Sequence, residues 1–502
     1  MMKKYFLPIA VLGSAIMMFA GCGTVSSSLD GGDTSLEQLR NSLVQKFDDP
    51  QFDNAHWGVL IKSLKSGEVV YARNEKKMFM PASNMKLFTT SSATIALTPN
   101  YRYFTEVFMN GQVKDSTLYG DLILKGSGDP TISGRYNDGN VTETFQQWAD
   151  TLSFLGIKKI QGNLIGDDNC FDDDVYGDGW AAGYETDYYA AQPSGISFND
   201  NCVDITITPG AITGDTCSLS VDPATSYVTL INQTSTADEA DSVNTISFLR
   251  KRGTNTIVVR GSLSMNKKPY LESVTVDNPT LYTMTVLKEV LASKGIAASG
   301  QPIDIDDTGD SLHYNGFQHV ASFTSVPYAV IVRTINKPSQ NFYAEQVLRT
   351  MGKEKYGIGS VDNGRKVAFD ILGQWGVDTA RLQYADGSGL SRMDLITPRD
   401  IVSILEGISR ENSFLPFYES LPIAGVDGSI KNRMKGTRAE GNVHAKTGYI
   451  GYVRSLSGYV TSADGEMFVF SMIANNYTVP TRVAEKIQND VCVELANFSR
   501  TK

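Results

Sequence analysis

Apolar residues recur at helical spacing over residues 35–47 (SLEQLRNSLVQKF), which predicts an amphipathic helix. Two strand-like runs follow, His56–Lys62 and Glu68–Ala72, and the turn Lys65-Ser66-Gly67 between them makes a hairpin. Pro81-Ala82-Ser83 then opens a helix that runs to about Leu97 and stops ahead of Pro99. From about Val107 to Val276 the pattern changes. Short apolar runs, such as Gly120–Lys125, Cys202–Thr208 and Thr256–Val259, alternate with Gly, Asp, Thr and Asn, and helical periodicity is confined to Thr142–Leu155. This stretch reads as one or two β-rich modules set into the chain.

Helical signals return at Asn278-Pro279-Thr280, ahead of an amphipathic run to Ser293 and a stop at Gly295. Asn341–Met351 and Gly364–Leu372 read as helices, and the apolar run Tyr328–Ile335 reads as a strand. At Thr397-Pro398-Arg399-Asp400 a helix starts: Thr caps, Pro takes the first position and Asp reaches back. Ser455–Thr461 and Met467–Ala474 form a hairpin across Ala463-Asp464-Gly465, and a last helix covers about Thr481–Phe498. The two flanks, 35–106 and 277–502, thus make one α/β (α+β) domain around the insert at 107–276. Its predicted form is a mainly antiparallel sheet with the first and last helices packed on it.

A chain of 502 residues fits two or three domains, and 41% hydrophobic with 20% charged residues makes it globular. The net charge is −10 and no basic stripe stands out, so nucleic acid is not an expected partner. Lys3 and Lys4 precede an apolar run, Tyr5–Ala20, that is short for a membrane span and reads as a secretory signal over residues 1–21. It ends Phe19-Ala20-Gly21-Cys22, which resembles a bacterial lipobox. The expectation is an exported, periplasmic lipoprotein cut before Cys22, acylated there, and held to a membrane through a Ser/Gly/Asp-rich tether over 22–34. Four cysteines remain, Cys170, Cys202, Cys217 and Cys492. Cys202 and Cys217 are placed either to pair or to stay as buried thiols. With no CxxC, no HExxH and four histidines in all, neither zinc nor any other cofactor is signalled.

Three short elements carry chemistry. Ser83-Asn84-Met85-Lys86 lies at a predicted helix start, where positions i and i+3 share a face and hydroxyl can meet amine. A serine needs a base to become a nucleophile, and a lysine serves as one when burial favours its neutral form. Asp386-Gly-Ser-Gly-Leu-Ser391-Arg-Met-Asp394 is a Gly-rich loop before a capped helix, able to project Ser391. Lys446-Thr447-Gly448, followed by Tyr449, precedes a strand. There a Lys and a Thr suit a substrate carboxylate, and the Gly lets a ligand backbone approach. Each alone has a plain alternative: an N-cap beside a solvated lysine, a turn, and a Lys-Thr-Gly that arises by chance.

Together, in this order, they resemble the active-site serine penicillin-interacting enzymes, whose signature is S-x-x-K, S-x-N, K-T-G. DGSGLSR at 386–392, LPIAGVDGS at 421–429, Asn336-Lys-Pro-Ser-Gln-Asn341 with Ala344-Glu345, and Ala445-Lys-Thr-Gly448 sharpen the resemblance. So do Gly120-Asp-Leu, Gly128-Asp129-Pro130 and Ser197–Asn201. Over about residues 35–500 the chain is similar to the D-alanyl-D-alanine carboxypeptidase/endopeptidase family known as class C, type-4 penicillin-binding proteins. The resemblance implies a penicillin-binding/β-lactamase-like transpeptidase fold with β-rich domains inserted after the first motif. It implies peptidoglycan peptides as substrates and β-lactams as acylating ligands. Ser83 would be the nucleophile, Lys86 its base and Ser391 a proton relay to the leaving amine. Lys446, Thr447 and Gly448 would bind the terminal carboxylate, and the N–H groups of Ser83 and Tyr449 would form an oxyanion hole. One departure stands out: Asp394 occupies a substrate-side position where the family has Asn, and an ionised carboxylate cannot donate as an amide does. Two alternatives use the same residues, a serine β-lactamase or esterase, and a catalytically decayed wall-binding protein.

Overall fold

The structure, a computed structural model, describes residues 34–309 and 312–500. The signal segment, Cys22 and all but the last residue of the tether lie outside the described residues.

The flank domain is built on a five-stranded sheet with strand order 444–450, 453–461, 467–475, 56–63, 69–73. Every neighbouring pair is antiparallel, including the first strand of the chain with the last (Gly58 opposite Ile473). Alternation along Met467–Asn475 sorts its side chains between two cores. Phe468, Phe470, Met472 and Ala474 face the helices Thr34–Phe47 and Thr481–Asn497, while Val469 and Ile473 face the helices of the opposite layer. Central in that layer is the helix Met85–Ala96, buried on almost every face. Thr90 and Thr94 turn their hydroxyls onto the helix's own backbone, to Lys86 O at 2.6 Å and Thr90 O at 2.7 Å, and Thr89 reaches across to Gly387 O at 2.6 Å, so these three buried donors are satisfied.

Tyr328–Asn336 is a helix rather than the strand expected from its apolar, β-branched run. The apolar residues it buries are Tyr328, Ile331, Val332 and Ile335, a 3–1–3 spacing that follows the helical period and overrides β-propensity.

The insert also differs from the expected span. Strands begin at Phe104, and the helix Pro279–Ser293 and strand Gln318–Thr324 belong with it. That strand pairs antiparallel with Phe104–Lys114 in a seven-stranded sheet, and the helix buries Tyr282, Met284, Leu287 and Leu291 in the same core as Phe145, Trp148 and Ile205. The return of helical period at Asn278 marks the cover of the insert's own sheet, so we place the insert at 104–324 rather than 107–276. Two three-stranded sheets complete it. Cys202 and Cys217 are both buried and unpaired.

Candidate active site

Ser83 sits in a 3₁₀ turn, Ala82–Asn84, that leads into the buried helix. The turn is fastened to the sheet from two sides. Asn84 donates to Lys446 O at 2.9 Å and accepts from Ser457 Oγ at 2.6 Å, while Ser455 donates to Pro81 O at 2.7 Å. Gly448 makes this approach possible, because a Cβ there would lie 2.1 Å from Ser455 Oγ and 2.7 Å from Pro81 O. Ala82 holds a left-handed backbone (φ 48°), a strained conformation for a residue with a side chain. Its carbonyl abuts Gly389, where a Cβ would come within 1.9 Å. The loop 386–391 is therefore packed directly under the serine.

Lys86 is fully buried, one turn after Ser83. Its Nζ donates to Ser83 Oγ at 3.0 Å, Asn341 Oδ1 at 2.6 Å and Ser388 O at 2.7 Å. Burial favours the neutral amine and outweighs the opposing pull of the Asp386, Glu345 and Asp394 carboxyl groups, so its pKa falls to about 7. Lys446, also fully buried, donates to Ser339 Oγ at 2.8 Å and to Thr447 O at 2.9 Å. Its pKa is pushed far down, first by burial and then by the positive charges of Lys86 and Arg454. Thr447 Oγ1 and Ser429 Oγ lie 2.7 Å apart. Strand 444–450 is the sheet edge, and Ala445 N–H points off that edge to Pro422 O at 2.9 Å. By alternation Thr447 and Tyr449 present their N–H groups on the same side. The Tyr449 side chain is exposed.

The second motif is not where the sequence reading put it. Ser391 is fully buried, and its hydroxyl donates to Asp178 O at 2.6 Å and accepts from Met393 N at 3.0 Å. Gly179 of the insert seals it off, since a Cβ there would lie 2.8 Å from Ser391 Oγ. Asp394 is also fully buried and accepts from the backbone N–H of Ala385 at 2.7 Å and Asp386 at 3.3 Å. It neither faces substrate nor hydrogen-bonds Lys86.

Ser339 and Asn341 occupy the positions facing the two lysines instead. They flank Gln340 at the start of the helix Asn341–Tyr356, and Asn341 is fixed by its own bond to Tyr189 O at 2.8 Å. Their signal in the sequence is the literal S-x-N spacing, after Pro338 and before a helical run. The Gly-rich loop is a scaffold. Asp386 gathers it by accepting from the N–H groups of Ser388 (3.2 Å), Gly389 (2.6 Å) and Ser391 (2.7 Å), and Trp180 of the insert donates to it at 2.7 Å.

No metal, redox centre or bound cofactor is needed for this arrangement: a hydroxyl, two amines of lowered basicity and an open strand edge suit acyl transfer. Comparison with known proteins agrees. The chain is 32% identical over 504 residues to a D-alanyl-D-alanine carboxypeptidase of an Actinomadura species, covering 98% of this chain and 89% of the relative. It is 27% identical to the D-alanyl-D-alanine carboxypeptidase DacB of Haemophilus influenzae, covering 87% and 88% of the two. The crystal structure of penicillin binding protein 4 from H. influenzae superposes with a TM-score of 0.79 at 25% identity, over 91% of this chain and 99% of that one. With the site and the whole fold in agreement, the chain belongs to the D-Ala-D-Ala carboxypeptidase 3 (S13) family, whose match runs over residues 39–498.

Proposed function

We propose that this protein is a serine DD-peptidase that cleaves D-alanyl-D-alanine, and D-alanyl cross-links, in peptidoglycan peptides through an acyl-enzyme on Ser83. The observation that carries the reading is the Ser83–Lys86 pair, a hydroxyl 3.0 Å from a buried amine whose pKa has fallen to about 7. Near neutral pH a large share of that amine is unprotonated, and it takes the Ser83 proton as Oγ attacks the scissile carbonyl. The N–H groups of Ser83 and Tyr449 receive the developing oxyanion, each donor contributing on the order of 3 kcal/mol. Asn341 keeps Lys86 aligned. Ser339, hydrogen-bonded to Lys446, delivers a proton to the leaving amine. Lys446, with the Thr447–Ser429 hydroxyl pair, receives the terminal carboxylate. Water then attacks the ester and returns Ser83. A β-lactam presents a strained amide to the same hydroxyl, and its leaving amine stays tethered, so the ester persists.

The expected setting is the periplasm, with the protein held by acyl chains on Cys22. The sequence of residues 1–34 supports this, and no helix among the described residues is long and apolar enough to cross a membrane.

The test is intact-mass spectrometry after exposure to penicillin, for the wild type and Ser83→Ala, with product analysis on cross-linked muropeptides. One adduct mapping to Ser83, together with released D-Ala or cut cross-links, supports the reading. No adduct and intact muropeptides overturn it.

A further inference from the structure

We infer that Asp394 is held as a neutral carboxylic acid that donates a hydrogen bond to the Asp386 carboxylate, and that this one proton fastens the loop on which Lys86 is docked. The argument begins with the accounting of donors. Asp386 and Asp394 are both fully buried. Asp386 receives four N–H donors, two on each oxygen, and so has the partners an anion requires. Asp394 receives two, both on Oδ1. Its Oδ2 is buried with no N–H or O–H partner among the described residues, and the side chain it interacts with is the Asp386 carboxyl group. Two oxygens of this kind make a hydrogen bond only when one carries a proton.

The surroundings assign that proton to Asp394. Lys86 is committed to Ser83, Asn341 and Ser388 and makes no hydrogen bond to Asp394. Arg349 is engaged by Glu345, Asp172 and the Asp174 carbonyl. Glu345, from the facing helix, accepts from Gly387 N–H at 3.1 Å and is itself driven toward its neutral form by burial and Asp386. Tyr384 is neutral as well, its pKa raised by burial. Nothing cationic is left for Asp394, and burial followed by the charge of Asp386 drives its pKa far up. The proton is functional as well as structural. Asp394 ionised would be a further negative charge near Lys86, raising the pKa of the base. Asp394 neutral anchors Ala385 and Asp386 without that penalty, and the anchored loop delivers the Ser388 carbonyl to Lys86. Asp394 is thus a positioning residue.

The inference rests on the peptidase reading only for its kinetic test; its stability test stands without any activity. Asp394→Asn supplies an amide N–H where the proton sits. An acid whose pKa is raised on folding adds no cost below its ordinary value near 3.8, and costs stability progressively as pH rises above that. The wild type should therefore lose stability relative to Asp394→Asn as pH rises above 5, by up to about tenfold in the ratio of unfolding constants per pH unit for one proton. In the same variant the acid limb of β-lactam acylation should stay where it is in the wild type, because a neutral group replaces a neutral group. Asp394→Leu, which has no donor, should acylate more slowly and melt lower at every pH, and Asn should rescue both. A stability difference that does not change with pH would show that Asp394 is idle, and an acid limb moved to lower pH in Asp394→Asn would show that it is ionised.

Discussion

Lys86 Nζ lies 2.6 Å from Asn341 Oδ1, although 255 residues separate the two in the chain. The same amine is 3.0 Å from Ser83 Oγ. An amide from the start of one helix thus holds the base that serves a hydroxyl at the start of another. Asn341→Ala should leave the fold intact and slow β-lactam acylation by roughly 10- to 100-fold, through loss of alignment. Stopped-flow acylation with a chromogenic β-lactam, alongside circular dichroism, checks this. An unchanged rate would mean that Lys86 needs no such hold.

The lowered basicity of Lys86 sets a pH dependence. In the proposed mechanism its neutral form is the reactive one, and burial lowers its pKa to about 7. Acylation should rise about tenfold per pH unit below that value and level off above it. Lys86→Arg keeps the charge and removes the base, so it should acylate about 10²–10⁴-fold more slowly with no break near neutrality. A profile flat from pH 5 to 9 in the wild type would assign the proton transfer elsewhere.

Ser339 and Ser391 separate cleanly. Ser339 faces Lys446, so Ser339→Ala should slow peptide hydrolysis by about 10²-fold or more while leaving thermal stability near that of the wild type. Ser391 is sealed beneath the insert, so Ser391→Ala should cost about 1 kcal/mol of stability and little rate. Steady-state D-Ala release paired with thermal melts gives the answer; the reverse pattern restores Ser391 as the relay.

Gly389 has a positive φ of 80° and faces the Ala82 carbonyl, where a Cβ would stand at 1.9 Å. Gly389→Ala should cost about 1–3 kcal/mol, and it should depress acylation by shifting the turn that carries Ser83. Comparing melting temperature with penicillin labelling tests both effects, and wild-type behaviour in both would mean the loop does not press on that turn.

Much of this was legible in the chain. Ser83 with Lys86, and Lys446 with Thr447, are local motifs whose meaning lies in spacing, and local spacing survives folding unchanged. The pairing of Lys446 with Ser339 is tertiary: nothing near either residue announces the other. For the same reason the relay role proposed for Ser339 was expected at Ser391, in a conspicuous Gly-rich loop. The end of the insert was misjudged because a helix packed on the insert's sheet, Pro279–Ser293, has the same periodicity as one packed on the flank sheet. Residues 328–335 show the complementary failure, in which β-branched composition suggested a strand while burial followed the helical period.

The strand order carries a consequence for how the protein comes into being. The sheet places His56–Ser63 between Val69–Arg73 and Met467–Asn475, and Asn84 bonds to Ser457, 373 residues later. During synthesis the insert has its own core and can condense while the flank sheet still lacks its middle. The reactive serine therefore has neither its strand edge nor its second lysine until almost the whole chain has emerged. A product truncated before residue 444 should therefore not be acylated.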